Sequence, residues 1–326
     1  MSERLLDEAS LASTPASDLT YFALAATAAK PAAQAPREVL SELPEVLGGR
    51  YKIERLLGVG GMGAVYRARD LLREQFGDPD PYVAVKTLSD DFAEYPDANS
   101  LLYSEFALTA RLNHPHVVRL FGFEVDVPSQ RAFLTLELDQ LLSERPDGLP
   151  WSELQEIAIA LLDALSYSHS LGVLHGDLKP SNVMLAEDGL RLFDYGLGQP
   201  VEGLLPGLPR LCRNRFTAWT PRYAALELLD GAPLTAAADV YALACVLYEL
   251  ASGRHPFRRQ SAKQAKAMEL DKQLQRPEQL PAHCWPALHT ALAFDEAQRS
   301  ITSAQLLEVF RQPLPSRWPR WLKRSG

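Results

Sequence analysis

Apolar and polar residues alternate along GGRYKIERLLG and again along AVYRARD, a period of two that predicts a pair of β-strands. Glycines fill the interval between them, so the connection reads as a tight glycine-rich turn. A third strand is expected in PYVAVKTL, reached through the polar loop LREQFGDPDP. A helix follows over Asn99 to Leu112, stopped by Asn113-His114-Pro115. Two further strands are expected in VVRLFGFEVDV and AFLTLELD, completing a small, mainly β unit with one helix.

From Leu149 onward helical periods dominate. PWSELQEIAIALLDALSYSHSLG reads as a helix opened by a capping box from Ser152 to Gln155 and closed at Gly172. Its residues Ile157, Leu161, Leu162 and Leu165 share one face. LTAAADVYALACVLYELASG is apolar nearly all round, which predicts a buried helix ending at Gly253. A β-rich lobe (47–139) followed by a helical lobe (140–311) implies an α+β, bilobal fold with its site in the cleft between them. Residues 1–46, rich in Ala, Pro and Ser, read as a disordered leader with a short helix near TYFALAATAA; residues 312–326 read as a basic, Trp-containing tail.

Composition narrows the class. The chain has 326 residues, 47% hydrophobic and 23% charged, enough to bury a substantial core. A formal net charge of −8 argues against nucleic-acid binding. Cys212, Cys245 and Cys284 lie far apart with no CxxC pair, and read as reduced thiols of a cytoplasmic protein. No secretory signal is visible, and no apolar run approaches the roughly 18 residues that would span a bilayer. His114 and His116, flanking Pro115, read as a helix-ending turn rather than a metal site.

Three clusters carry candidate chemistry. Gly58-Val59-Gly60-Gly61-Met62-Gly63 fits GxGxxG, but the β-like AVYRARD that follows argues against a dinucleotide fold, and no GK[ST] follows for a P-loop. A glycine turn between two strands instead lets backbone amides approach phosphates. VAVK then sets Lys86 in an apolar strand, where an ammonium needs a partner. Glu105, in the following helix, would hold it toward the α- and β-phosphates of a nucleotide, with Glu94 as the fallback partner. His175-Gly176-Asp177-Leu178-Lys179-Pro180-Ser181-Asn182 and Asp194-Tyr195-Gly196 complete the set. Phosphoryl transfer mainly needs positioning and charge neutralisation. Asp177 supplies an acceptor for a hydroxyl proton, Lys179 a cation near the γ-phosphate, and Asn182 and Asp194 oxygen ligands for Mg²⁺.

With these motifs, residues from about 50 to 311 resemble a eukaryotic-type protein kinase, and GVGGMGAVYRARD and LNHPHVVRLFG particularly resemble bacterial Ser/Thr kinases. The resemblance implies ATP as phosphoryl donor, Mg²⁺ (or Mn²⁺) as cofactor, protein substrates and a cognate phosphatase. It makes Asp177 the catalytic base and Lys86 and Glu105 the ion pair. It places Leu57 to Gly63 over the phosphates, Val65, Ala84 and Met184 around adenine, Leu136 at the gatekeeper position and Glu137, Leu138 and Asp139 in the hinge.

Gly176, where most of the family carries arginine, keeps two alternatives in view. Small-molecule kinases of the aminoglycoside and choline type also read HGDxxxxN, but three later features favour a protein kinase. Lys179-Pro180 fits the DLKPxN form, and Asp194 to Glu227 is long enough for an activation segment ending in TPRYAALE. Asp239-Val240-Tyr241-Ala242-Leu243 matches the helix below the catalytic loop, and Arg299 matches the arginine that pairs with Glu227. The second alternative, a pseudokinase scaffold, would lose the base, a metal ligand or the lysine, and none is lost. Thr217 is the candidate phosphosite and Thr220 a support for the catalytic loop. Thr109 stands where the family prefers a bulky apolar residue, which predicts a loosely held helix and a helix-out ground state. The tail cations with Trp318 and Trp321 suit an anionic membrane surface, although a frayed or packed tail is the favoured reading.

Overall fold

The structure, a computed structural model, describes residues 21–23, 43–59, 63–88, 98–138, 140–141, 148–186, 189–201 and 217–314. Strand β1 (Tyr21–Ala23) stands apart from the first lobe and is taken up below. Strands β2 (Val46–Leu47), β3 (Tyr51–Val59) and β4 (Gly63–Asp70) open an antiparallel sheet. Helix α1 (Leu71–Gln75) intervenes before β5 (Tyr82–Leu88). Helix α2 (Ala98–Thr109) and strands β6 (Leu120–Asp126) and β7 (Arg131–Leu136) follow. Among the described residues these make six strands in the order β2-β3-β4-β5-β7-β6.

Strand alternation divides this lobe into two apolar layers. Val83 and Val85 of β5 join Leu47, Tyr51, Ala68 and Phe133 on one face. Ala84 and Leu88 join Leu101 and Leu102 of α2 and Leu134 on the other. Lys86 lies between Ala84 and Leu88 in the same period, so its side chain is delivered to the face that α2 covers.

Two local expectations are corrected. LREQFGDPDP is not loop throughout, because the Asp70 carboxylate accepts the N–H groups of Leu72 and Arg73 and starts α1. Helix α2 ends at Thr109 rather than Leu112; the chain then tightens through turns such as Leu112 N–H to Thr109 O, 2.9 Å.

Strand β8 (Gln140–Leu141) leads to the second lobe, whose long helices are α3 (Trp151–Ser170) and, further on, Ala236–Ser252. The capping box expected at Ser152–Gln155 is absent: Pro150 is the N-cap residue, which already places Ser152 inside the first turn. Gln155 instead donates to Phe310 O at 2.8 Å. Strand β9 (Val173–Leu174), the catalytic-loop residues, and the hairpin of β10 (Val183–Ala186) and β11 (Gly189–Leu192) follow α3. Strand β12 (Gln199–Pro200) pairs with β9. Strand β13 (Thr217–Trp219) pairs antiparallel with β1, with Tyr21 opposite Trp219. Tyr21–Ala23 is thus extended inside the stretch expected to be helical, and Val46, the last residue of the expected leader, is ordered in β2; residues 1–20, 24–42 and 315–326 lie outside the described residues.

Helices α4 (Leu226–Leu229) and α5 (Ala236–Ser252) follow. As its composition predicts, α5 buries most of its surface, from Ala238 to Leu247 without a break. The remainder of the lobe includes α6 (Ala262–Ala267), α7 (Trp285–Ala291) and α8 (Ser303–Arg311). No described helix is long and apolar enough to cross a membrane. The lobes meet through main-chain bonds, Val118 N–H to Leu192 O (3.0 Å) and Leu192 N–H to His116 O (2.9 Å).

Candidate active site

Lys86 reaches the cleft from β5 and Glu105 from α2. The lysine Nζ is 2.7 Å from each Glu105 oxygen and 2.8 Å from Asp194 Oδ1. This pair, formed as the sequence predicts, contradicts the expected helix-out state: α2 is docked, and Thr109 is itself buried. One ammonium therefore serves two carboxylates. Burial opposes the charge on Lys86, but Asp194 and Glu105 outweigh it and the net shift is upward. Burial also acts against Asp194, yet Lys86 and Lys179 hold its pKa down at about 2. Glu105 is the carboxyl left over: burial, reinforced by the Asp194 charge, pushes it up to about 7 against the pull of Lys86.

The apolar residues of the nucleotide reading converge beside this cluster. Ala84, Leu136 and Met184 share one buried group, and Leu57, Val65 and Leu138 pack against it from its partly exposed rim. The register explains why: Ala84 lies opposite Leu136, and Val65 opposite Lys86. Gly58 pairs with Val65, and Val59 is half exposed at the strand end. Gly63 lies so close to β5 that a Cβ there would meet Thr87 O at 2.0 Å. Glu137 turns its carboxylate away to Arg191 Nε (3.1 Å) and the Arg119 amide (3.0 Å). Gly60, Gly61, Met62, Glu94 and Asp139 lie outside the described residues.

Across the cleft, the loop after β9 presents Asp177 with both oxygens engaged. Oδ1 accepts from the Thr220 hydroxyl (2.8 Å) and the Thr220 amide (3.2 Å), and Oδ2 lies 2.8 Å from Lys179 Nζ. Lys179 also donates to Thr220 Oγ1 at 3.2 Å, so the three side chains form one buried unit. Asn182 donates its amide nitrogen to Asp177 O at 2.8 Å, which turns its acceptor oxygen the other way. His175 is neutral, its protonation disfavoured by burial. Its Nδ1 accepts from the Asp177 amide (3.2 Å), so its Nε2–H donates to Phe193 O (3.0 Å). His175 thus braces the loop between Asp177 and Phe193.

Asp239, on α5, is a functional residue that sequence reasoning passed over as part of a helix motif. Its carboxylate accepts the amides of His175 and Gly176, each at 2.8 Å, and His169 Nε2 at 3.0 Å. The signal was an acid near the start of an apolar helix, where a buried charge must have partners. Gly176 itself has φ +85, and a Cβ there would lie 2.6 Å from Leu197 O. The segment end is fixed as expected: Arg299, its side chain fully buried, grips Glu227 at 2.7 and 3.3 Å and donates to Ala237 O and Ala293 O. Thr217 begins β13, and its side chain is not among those described. His114 stacks on Tyr167 and approaches Asp163, and no described cluster of His, Cys, Asp and Glu suits a metal ion.

An apolar group beside the Lys86–Glu105–Asp194 cluster, and an Asp177 carboxylate held by Lys179 and Thr220, are the arrangement of the protein-kinase class of phosphotransferases. Comparison with known proteins agrees. The model of the protein kinase domain family matches residues 51–310, and the chain belongs to that family. It is 34% identical over 266 residues to the serine/threonine-protein kinase PkaA of Streptomyces coelicolor, a match covering 76% of this chain and 47% of that protein. It is 32% identical over 224 residues to the serine/threonine-protein kinase pkn3 of Myxococcus xanthus, covering 65% of this chain and 39% of that one. The chain thus spans less than half the length of these relatives. Protein kinases use ATP and a divalent cation. The oxygen donors of Asp194 and Asn182 are the hard ligands such an ion takes.

Proposed function

We propose that this protein is an ATP-dependent serine/threonine protein kinase of bacterial signalling, its kinase domain occupying 47–311. Asp177 accepts the substrate hydroxyl proton, and Lys179, 2.8 Å from it, faces the transferred group. Lys86, kept cationic, binds the α- and β-phosphates, and Glu105 fixes its direction. Asn182 and Asp194 hold Mg²⁺, for which Mn²⁺ can substitute; a bound ion neutralises phosphate charge.

The observation that carries this reading is the bond from Thr220 to Asp177, 2.8 Å between oxygens. Thr220 comes from the segment that ends at Glu227, so the base is held by the element against which a peptide substrate would lie. A small-molecule kinase has no need of that tie. Protein substrates are the partners that follow, with a phosphatase to reverse the modification.

Gly176 modifies the reading. The arginine usual in the family answers a phosphate on the activation segment. Here φ +85 and the 2.6 Å approach to Leu197 O suit glycine alone, so turnover depends only weakly on segment phosphorylation.

The test is phosphate transfer from labelled Mg-ATP to a generic protein substrate and to the kinase itself. Asp177→Asn should lower transfer by about 10²- to 10⁴-fold while nucleotide binding persists. Binding with no transfer by the unaltered protein would instead support a scaffold, and transfer only to small hydroxyl compounds would support a small-molecule kinase.

A further inference from the structure

Asp194 has φ +66, a left-handed backbone that non-glycine residues keep only when their surroundings hold them there. In that conformation its Oδ1 lies 2.8 Å from Lys86 Nζ. The residues on either side are pinned. Phe193 O accepts from His175 Nε2 at 3.0 Å. Tyr195 is fully buried, with its ring 4.5 Å from the His175 ring.

Phenylalanine is the more usual residue at this position, and it would fill the same ring space. The tyrosine hydroxyl adds something else: it lies 2.8 Å from Ser168 Oγ, on the last turn of α3. Ser168 Oγ is also 2.9 Å from Ala164 O, an acceptor only. The serine proton is therefore committed to Ala164, and the Tyr195 O–H must be the donor to Ser168. Both side chains are 0% exposed, so neither group can exchange its partner for water without opening the core.

We infer that the Tyr195 hydroxyl is a latch, a positioning group that ties the backbone after Asp194 to α3 and so keeps the Asp194 carboxylate aimed at Lys86 and the cation. Swinging Tyr195 out of its pocket breaks this bond, leaving Ser168 Oγ with its bond to Ala164 O alone and the hydroxyl without its buried acceptor. The consequence for metal binding rests on the ligand role given to Asp194; the latch itself does not. The burial that raises the Tyr195 pKa keeps the phenol protonated and able to donate.

The test compares the unaltered protein with Tyr195→Phe, Ser168→Ala and the double variant. Two quantities are read: affinity for adenylyl imidodiphosphate with and without Mg²⁺, and hydrogen exchange at the Gly198 amide. That amide donates to Tyr195 O at 2.7 Å and reports movement of the turn without any ligand. Losing one buried hydrogen bond should speed Gly198 exchange about three- to tenfold in Tyr195→Phe. The Mg²⁺-dependent gain in nucleotide affinity should fall at least about threefold, with metal-free affinity unchanged. Ser168→Ala should be worse, because it leaves the hydroxyl buried without an acceptor, and adding Tyr195→Phe should return it to the single Tyr195→Phe level. A Tyr195→Phe protein with unaltered Gly198 exchange and unaltered Mg²⁺ gain would overturn the latch, whatever its melting temperature. Failure of the unaltered protein to bind nucleotide would overturn the kinase reading, and Gly198 exchange would still decide the latch.

Discussion

Thr220 and Asp177 are joined twice, through the threonine hydroxyl at 2.8 Å and its amide at 3.2 Å, both on Oδ1. The amide bond is indifferent to the side chain; the hydroxyl bond is not. Thr220→Ala should therefore keep the fold but leave Asp177 less well aimed and Lys179 short of one acceptor. We expect turnover to fall about tenfold to a hundredfold, with Thr220→Ser retaining most of it. Steady-state kinetics of the two variants, read as kcat against KM, checks this.

Segment phosphorylation has no arginine to act through at Gly176. Thr217→Ala should lose less than about tenfold in turnover, roughly 1.4 kcal/mol of barrier. Arginine restored by Gly176→Arg should not create a phosphate switch but destabilise the loop, given the 2.6 Å contact with Leu197 O. Phosphate transfer and thermal unfolding of both variants measure the two effects.

Arg299 and Glu227 form a pair whose arginine side chain is wholly out of solvent. Removing one charge leaves the other buried without compensation, which costs about 3–5 kcal/mol. Glu227→Gln should lower the urea midpoint accordingly, and Arg299→Met by a similar amount, since the carbonyls of Ala237, Ala293 and Phe294 lose their donor as well. Denaturant titration gives both values.

Burial pushes the Glu105 carboxyl up, to about 7. As pH falls through about 7 its carboxylate takes up a proton and its hold on Lys86 weakens, so kcat/KM for ATP should decline on the acid side. Glu105→Gln should show a lower, flat profile over the same range. Stability runs the opposite way. The folded pKa of about 7 exceeds the reference value of 4.5, so the folded protein binds this proton more tightly. Its contribution is full below 4.5 and is lost as pH rises through about 7. Asp194, held at about 2, titrates below that window. Urea titrations of the metal-free protein across this range measure the slope.

The polar centre of the site was readable because phosphoryl transfer dictates residue types at short, fixed offsets, as with Asp177, Lys179 and Asn182. Lys86 and Glu105 were readable because each is a charge in an apolar element. What escaped depends on contacts that sequence order does not display. Asp239 serves two amides more than sixty residues earlier in the chain. Ser168 meets Tyr195 only after α3 and the catalytic loop have packed. Local signals also misled where two were present: Ser152 and Gln155 have the spacing of a cap, but Pro150 begins the helix ahead of them. Thr109 has little apolar bulk, yet α2 is seated, anchored by Leu101, Leu102 and Leu108 and by the Glu105 ion pair.

The glycines at the two ends of the β3–β4 turn are not equivalent. A methyl group at Gly58 would project into open space, whereas one at Gly63 would strike Thr87 O. Gly63 stands opposite Leu88, two rungs from the pair that joins Val65 to Lys86. A side chain at Gly63 would act as a wedge between adjoining strands, prising the lysine off its mark before any nucleotide arrived. Bulk at the loop's far end would thus silence the enzyme from within the sheet, and extra ATP would not rescue it.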